Sequence, residues 1–203
     1  MKGRIALPAA LMASLVALWE LGVRLSDTPL YVLPAPSRVL AALFEEREAL
    51  LSHSVVTVGE TLIGLLIAAA AGILLAVLMD ACRPFKTAIY PLLVVSQTVP
   101  VIVMAPIFII YLGFGLAPKV LTVVLMCFFP IVVSFADGME QVDQNQINLI
   151  RAFGASRLQE YTFVKLPAAA PTLFSGLKVA ATYSISGAVV GEWLASDKGL
   201  GYY

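Results

Sequence analysis

The chain has 203 residues, of which 60% are hydrophobic and 13% are charged, and its mean hydropathy is +0.93. Soluble domains are about 45–50% apolar and about 25% charged, so water is not the main solvent of this protein. The 13 basic residues balance the 13 acidic ones without clustering, which excludes nucleic acid as a partner. Cys82 and Cys127 lack the spacing of metal ligands, and no metal site is predicted.

Five stretches are long and apolar enough to cross a membrane as helices, since about 20 such residues span the hydrocarbon core. Open sheets are excluded at that depth because unpaired backbone groups are costly in lipid. The sequence therefore predicts an all-α polytopic membrane protein. The predicted spans are residues 5–23, 55–79, 88–112, 118–135 and 171–194.

The N-terminal stretch begins like a signal peptide, because Lys2 and Arg4 precede its apolar residues. No small-residue cleavage site follows, so we predict that residues 5–23 remain as the first span. More of the Lys and Arg residues that flank the spans become cytoplasmic when the N-terminus is placed in the cytoplasm. We therefore expect a cytoplasmic N-terminus, which also places residues 137–170 in the cytoplasm.

Residues 38–51 mix apolar with charged side chains, which is typical of a helix lying in the membrane interface. Ser37 precedes this stretch, and serine is a preferred N-cap residue. The sequence therefore predicts an interfacial helix capped by Ser37.

The third span carries Ser96, Gln97 and Thr98 next to Pro100, and Pro106 follows. Polar side chains are costly inside a membrane, and the prolines would kink or unwind the helix toward a cavity. These three polar residues are candidates for the wall of a translocation pathway. In the alternative, Ser and Thr bond to their own helix and Gln97 to a neighbouring one.

Tyr183 and Ser186 place polar groups in the fifth span and are further candidates for the pathway. Glu192, near one end of that span, is a candidate too, and its alternative is pairing with a basic residue. The same alternatives hold for Glu60 in the second span. His53 borders the second span and is expected at the interface rather than in a proton relay.

The longest polar stretch, residues 137–170, predicts two short helices with a bend. Asp143 and Ser156 are each followed three residues later by Gln, which is typical of a capping box at a helix start. Gly154 supplies the turn between the helices because it tolerates positive φ. Pro167 is expected to end the second helix before the fifth span begins.

Pro171 is expected to reinforce that break. The apolar side chains of the bent pair could rest on the helix bundle or fill a groove in another protein. In the alternative, the segment is a connector lying on the membrane surface. Those side chains belong to Ile147, Ile150, Phe153, Leu158, Tyr161 and Val164.

Residues 148–154, followed after nine residues by Val164-Lys165-Leu166-Pro167, resemble the EAA motif of ABC importer permeases. That motif reads Glu-Ala-Ala, three residues, Gly, nine residues and Ile-x-Leu-Pro. Gly154 and the Leu-Pro pair match at the same spacing, whereas Asn148-Leu149-Ile150 stand where the family has Glu-Ala-Ala. The resemblance implies that residues 137–170 are a cytoplasmic coupling loop and that residues 148–156 dock into a cleft on a separate ATPase.

The residues that this resemblance assigns to ATPase coupling lie in the bend and at the start of the fifth span. The chain contains no GxxxxGK[ST] phosphate-binding loop. ATP and Mg²⁺ are therefore expected on a partner ATPase dimer, and neither a bound cofactor nor a catalytic residue is expected here. The coupling residues are Asn148, Arg151, Ala152, Gly154, Ala155, Ser156, Leu166 and Pro167.

Further runs resemble the nitrate/sulfonate/taurine type of these permeases, and residues 175–183 and 187–194 look most like permeases for thiamine-precursor (hydroxymethyl) pyrimidines. The other runs are Leu-Pro-Ala-Pro-Ser at 33–37 and Ser-Gln-Thr-Val-Pro at 96–100. The resemblance implies one type I permease domain over residues 1–203 in the bacterial inner membrane. Its implied partners are membrane lipid, a second permease copy, the ATPase dimer and a periplasmic or lipid-anchored substrate-binding protein.

The expected substrate is a thiamine-precursor pyrimidine or a similar heterocycle, with nitrate, an aliphatic sulfonate or taurine as the alternative. An ion-coupled secondary transporter is a different class, which usually carries acidic residues or histidine near the bilayer midplane. No span has an acidic residue near its middle. Residues 198–203 resemble the loop before a sixth family helix, so we expect a truncated reading frame with its C-terminus outside the cell.

Overall fold

The computed structural model describes residues 2–26 and 28–203, and this part of the chain is helical without strands. The chain forms two compact units, which meet at Ser52 and His53 in the sequence. In these described ranges nine α-helices follow one another, with a π-helical turn, Tyr161–Lys165, between the last two. The α-helices are α1 Lys2–Leu25, α2 Pro36–Glu45, α3 Arg47–Ala81, α4 Arg83–Ser96, α5 Val101–Leu112, α6 Leu116–Glu140, α7 Gln144–Ala152, α8 Arg157–Glu160 and α9 Leu166–Ala195.

In the first unit, the carboxylate of Glu20 in α1 holds the start of α2. It accepts hydrogen bonds from the backbone N and the Oγ of Ser37, at 2.9 and 2.7 Å. The predicted cap at Ser37 is therefore wrong, since the N-cap is Ala35 and Pro36 occupies the first turn. Proline suits this position because its fixed φ is helical and its missing N–H would be unpaired there.

The predicted interfacial helix over residues 38–51 is also divided in the structure. Its first part lies in α2, which ends at Glu45, and residues 47–51 begin α3. The Glu46 N–H still donates to the Ala42 carbonyl at 2.9 Å, so α2 closes with a helical hydrogen bond before α3 starts.

Four of the five predicted spans are single helices long and apolar enough to cross a membrane. The third span is instead a pair, α4 and α5, bent by 100° at residues 97–100. Pro100 explains the break, because proline has no N–H to continue the ladder and disfavours helical backbone in the residue before it. Pro106, by contrast, lies inside α5 without ending it.

Large apolar side chains cover the outer surface of the helices in the second unit. Leu62 and Leu66 of α3, Ile110 of α5 and Phe174 of α9 are all exposed. Soluble proteins rarely expose contiguous apolar surface on this scale, whereas lipid tails are as apolar as these side chains. The surface is that of a protein embedded in a membrane.

The core of the second unit lies where α6 packs against α3 and α9. Small side chains on α3 and α9 face larger ones on α6, which lets the helix backbones approach closely. The cluster at the middle of this packing consists of Ala68 on α3, Val123, Cys127 and Ile131 on α6, and Ala180 and Ala188 on α9.

Gly176 marks one of the closest approaches between α9 and α6. A Cβ atom at this position would lie 2.7 Å from the Cβ of Ser134 and 2.8 Å from the carbonyl oxygen of Pro130. Because one of these neighbours is backbone, a rotamer change could not relieve the overlap. Gly59 in α3 differs, since a Cβ there would meet nothing within 4 Å.

We predict that Gly176→Ala destabilises the fold by about 1–3 kcal/mol, the usual cost of overpacking a close helix contact. Gly59→Ala is the matched control and should be neutral or stabilising by up to about 1 kcal/mol, because alanine is the better helix former. Unfolding of the two purified variants in the same detergent measures the difference. Equal stability of the two proteins would contradict the close packing of α9 on α6.

Candidate functional site

The predicted bent helix pair is present, and its ends are capped by local side chains. The Asp143 carboxylate accepts from the Asn145 N–H at 2.8 Å at the start of α7. Ser156 starts α8 with a reciprocal capping box, in which its own N–H donates to the Gln159 side chain at 2.8 Å. Between them Gly154 has φ of +83°, the left-handed turn that glycine adopts readily. The bend is therefore defined by short-range interactions.

An ion pair that the sequence did not indicate closes the bend. Arg151 Nε and Nη2 donate to the two carboxylate oxygens of Glu160 at 2.8 and 2.9 Å. Glu160 is only 5% exposed. A bidentate pair of arginine and carboxylate fixes the relative orientation of the two side chains as well as stabilising the fold. The partners are nine residues apart on different helices, so no helical spacing points to them. Arg151 thereby joins α7 to α8.

The apolar side chains of the bend divide into an inward and an outward group. Ile147 of α7 is buried, whereas Leu149, Phe153 and Leu158 are exposed, Phe153 to 83%. Burial of Ile147 agrees with the expectation that the apolar side rests on the helix bundle, and docking of the exposed side chains in another protein stays a prediction. The exposed group forms an apolar tip on a bend held by caps and an ion pair.

The remaining residues that resemblance assigned to coupling lie along the same segment. The Asn148 side chain accepts from Gln144 at 3.2 Å within α7. Ala152 ends α7, and the Ala155 N–H donates to the Ile150 carbonyl across the turn at 3.2 Å. Leu166 is the first residue of α9. These residues therefore lie on α7, on the turn after it, at the start of α8 and at the start of α9.

The predicted break at Pro167 and Pro171 is wrong. The chain stays helical from Arg157 to Ala195, with the π-helical turn directly before Leu166-Pro167, and Pro171 lies inside α9 without ending it. The π-helical turn is anchored to the end of α3. Asp80 accepts from Lys165 Nζ at 2.6 Å and from the Tyr161 hydroxyl at 2.5 Å.

A cleft of about 480 Å³ lies where the break between α4 and α5 faces α6 and α9. The structure brings Gln97 and Tyr183, both predicted from the sequence, together in its lining. The other lining residues were not singled out, because apolar side chains in a membrane helix give no sign of which way they face. They are Val101, Met126, Phe129, Pro130, Val133, Ser134 and Val179.

The remaining pathway candidates lie outside the lining of this cleft. Ser96 donates to the Leu93 carbonyl at 2.7 Å and Thr98 to the Val95 carbonyl at 2.8 Å. Both hydroxyls therefore bond to backbone carbonyls three residues earlier, which is the alternative to a role in the pathway. Ser186 is exposed on α9.

Glu192 belongs to a buried polar cluster at the end of the bundle where α6 begins. Thr57 Oγ1 donates to one of its carboxylate oxygens at 2.7 Å, and the Gly201 N–H donates to the other at 2.6 Å. Beside it, Lys119 pairs with Glu60. All three charged side chains are at most 7% exposed. The alternative raised from the sequence, that Glu60 pairs with a basic residue, is therefore confirmed.

His53 lies at the edge of the same cluster. Its Nδ1 accepts from the Gly199 N–H at 2.9 Å, and the Leu200 N–H donates to Thr57 at 2.8 Å. The segment after α9 thus folds back onto the start of α3 through hydrogen bonds to its side chains. Gly199, at φ of +119°, passes so close to Glu192 that a Cβ would overlap the carboxylate.

We predict that Lys119→Met destabilises the protein by about 3–5 kcal/mol, because Glu60 is left as an unpaired buried charge. The double variant Glu60→Gln/Lys119→Met should recover most of this loss, since neither charge remains. Lys178→Met, which changes an exposed lysine of α9, is the control. Thermal unfolding in detergent ranks the four proteins, and equal losses in the single and double variants would contradict the pairing.

Comparison with known proteins shows the family to which this chain belongs. Residues 62–203 match the family described as the binding-protein-dependent transport system inner membrane component. A probable ABC transporter permease protein of Haemophilus influenzae is 36% identical over 100% of this chain and 82% of its own length. The chain belongs to this family of ABC transporter permeases.

Other relatives carry more specific names. The formylaminopyrimidine transport permease ThiX of Halalkalibacterium halodurans is 36% identical over 97% of this chain and 78% of its own length. Relatives named for aliphatic sulfonate, taurine and nitrate transport also match. The crystal structure of an amino acid ABC transporter superposes with a TM-score of 0.60 at 18% identity, covering 74% of this chain and 76% of that one. It shows the same fold.

Family membership confirms several expectations from the sequence. The chain is a multi-pass inner-membrane subunit of an ABC importer and has the type I permease fold. It is a transport subunit rather than a catalyst, and a separate ATPase hydrolyses ATP. A substrate-binding protein belongs to the same system, as the family description states. An ion-coupled secondary transporter is thereby excluded.

Proposed function

We propose that this permease carries a small neutral heterocycle of the thiamine-precursor pyrimidine type through the cleft that contains Gln97 and Tyr183. The observation that carries the proposal is the composition of that cleft. Its lining combines aromatic and apolar side chains with one amide, one phenol and one serine hydroxyl, and contains no charged residue. Sites for small organic molecules have this composition, mostly apolar with a few polar groups that fix orientation.

The absence of charge in this lining separates the two substrate classes. Nitrate, sulfonates and taurine each present an anionic group, and a charge within the membrane is costly unless a cation accompanies it. A pyrimidine needs no such partner. Phe129 and Tyr183 in the lining offer aromatic surface on which its flat ring can stack, and its ring nitrogens and amino groups match the donors and acceptors of Gln97 and Ser134. The similarity to ThiX supports the same class.

The proposal extends to the coupling segment, residues 148–156, as the part that docks on the ATPase from the cytoplasm. Phe153 in the exposed apolar tip has the properties of a binding anchor, because an aromatic side chain that becomes buried on binding often contributes much of the energy of a protein interface. The Arg151–Glu160 pair keeps the tip rigid. Asp80 of α3 binds Lys165 in the π-helical turn that follows the segment, so a displacement of the segment is passed to the helix bundle.

Transport then follows by alternating access in a homodimer. Closure of the two ATPase subunits moves the coupling segments of two permease copies, and these rock between outward-open and inward-open states. The N-terminus lies in the cytoplasm, on the same side as the coupling segment. Substrate arrives on the periplasmic or lipid-anchored binding protein. In this proposal the cleft selects the substrate, and the bent segment transmits the movement of the ATPase to the helices.

The selectivity proposal predicts uptake by the complete transporter in proteoliposomes, containing the permease, its ATPase and its binding protein. A radiolabelled aminopyrimidine should enter on ATP addition, and unlabelled nitrate or taurine should not compete. Tyr183→Leu should lower the rate about twofold to tenfold, the range expected for one aromatic stacking contact. Tyr111→Leu, an exposed tyrosine outside the cleft, should transport normally. Uptake of taurine or nitrate in place of the pyrimidine would refute the proposal.

The coupling proposal predicts the effect of two changes in the bend. Phe153→Asp should weaken ATPase binding by at least about thirtyfold, the value for losing an interface anchor worth about 2 kcal/mol. Gly154→Pro should abolish ATPase stimulation, because proline fixes φ near −65° and Gly154 needs +83°.

The control for these variants is Phe114→Asp, since Phe114 is equally exposed but precedes α6, at the opposite end of that helix from α7. Pull-down of the co-expressed ATPase measures binding, and phosphate release measures stimulation. Normal ATPase binding by Phe153→Asp, in a protein that inserts properly, would contradict the docking assignment. It would leave the substrate proposal standing.

A further inference from the structure

A charged pocket lies at the end of the bundle next to α7 and is separate from the translocation cleft. It has a volume of about 140 Å³ and lies where the ends of α3 and α6 meet the start of α4. A water molecule occupies about 30 Å³ in the liquid, so the pocket has room for a group of several heavy atoms. Its charged lining residues are Asp80, Arg83, Lys86, Glu140 and Lys165.

The charges in this pocket do not balance. Lys165 pairs with Asp80 at 2.6 Å and Lys86 with Glu140 at 2.7 Å. Arg83 is exposed and has no acidic partner among residues 2–26 and 28–203, so its guanidinium is open to an external anion. Three cations against two carboxylates leave the pocket with one positive charge, and that charge belongs to a guanidinium, the side chain best suited to phosphate.

The start of α4 adds to the positive potential. Arg83 is the first residue of this 14-residue helix, its N-cap Cys82 supplies no side-chain hydrogen bond, and its first turn contains no acidic residue. A helix start carries the positive end of the helix dipole, which favours an anion, although Pro84, the second residue of α4, has no N–H to donate. Arg83 and Lys86 are cations placed where a helix normally prefers acids, which makes an external anion more favourable still.

An apolar groove adjoins the pocket and shares three of its residues. Arg83, Lys86 and Glu140 line both, and the groove, of about 440 Å³, is completed by Thr87, Tyr90 and Pro91 of α4. Lys86 Nζ lies 5.9 Å from the centre of the Tyr90 ring. Tyrosine beside basic residues at a helix end is typical of the headgroup level of a membrane. The pocket and groove together therefore match a molecule with an anionic head and an apolar tail.

We infer that this pocket binds the phosphate of an anionic phospholipid, whose acyl chain follows the groove along α4. One phosphodiester carries one negative charge, which neutralises the unpaired charge of Arg83. Basic pockets between membrane helices are known to select such headgroups. A soluble anion would use the pocket and leave the groove empty, so the groove favours lipid. The inference does not depend on the transported substrate.

The test is native mass spectrometry of the full chain released from detergent after incubation with equal amounts of phosphatidylglycerol and phosphatidylcholine of the same acyl chains. The wild type should retain the anionic lipid preferentially. Arg83→Gln should reduce that retention about fivefold, the contribution of one basic residue near an anionic headgroup, without changing retention of phosphatidylcholine. Arg83→Lys should keep most of it. Arg38→Gln, an exposed arginine of α2, should behave like the wild type.

Three results would overturn the inference. Equal retention of the two lipids by the wild type would show that the pocket does not select charge. Unchanged retention in Arg83→Gln, with normal unfolding in detergent, would show that the five charges form only an internal ion-pair network. Displacement of phosphatidylglycerol by an equal concentration of inorganic phosphate would assign the pocket to a soluble anion instead.

Discussion

The close packing of α6 against α3 and α9 is the constraint on which the other features of the second unit depend. Lipid offers no hydrophobic force to bring helices together, so contact between them rests on dispersion and on side chains small enough to let backbones meet. Gly176 on α9, against the Pro130 carbonyl of α6, provides such a contact. Because the three helices are held at fixed rotations, polar groups at both ends of the bundle meet their partners.

The two ends of this bundle use buried charge differently. At the start of α6, Lys119 and Glu60 form a buried ion pair, and Lys119 also donates to Ser196 in the segment that follows α9. At the other end, Asp80 holds Lys165 and Tyr161 and so attaches the coupling segment to α3. The Lys119–Glu60 pair is buried, so breaking it would leave a buried charge, which costs more than the pair itself contributes. Lys165 and Asp80 are partly buried, with 14% and 11% of their side-chain surface exposed, and their pair fixes the position of the π-helical turn against α3.

Between these ends, the break at Pro100 turns a span into a cleft. An uninterrupted helix over residues 88–112 would present apolar side chains to its neighbours, as α3 does. The 100° bend instead brings Gln97 into the same lining as Tyr183. Irregular backbone is tolerated at membrane depth where it lines a cavity. The cleft proposed for the substrate and the segment proposed to dock on the ATPase therefore belong to the same set of packed helices.

The sequence by itself determined the features that depend on neighbouring residues: the apolar length of the spans, the caps at Asp143 and Ser156, and the turn at Gly154. It misplaced the start of α2 and the break at Pro167, because a carboxylate from α1 and a π-helical turn intervened. Only the tertiary structure decided which polar groups meet, such as Gln97 with Tyr183 and Arg151 with Glu160. The reason is physical: a helix in lipid is apolar on its buried and exposed faces alike, so its sequence carries little amphipathic signal to show which side faces the core.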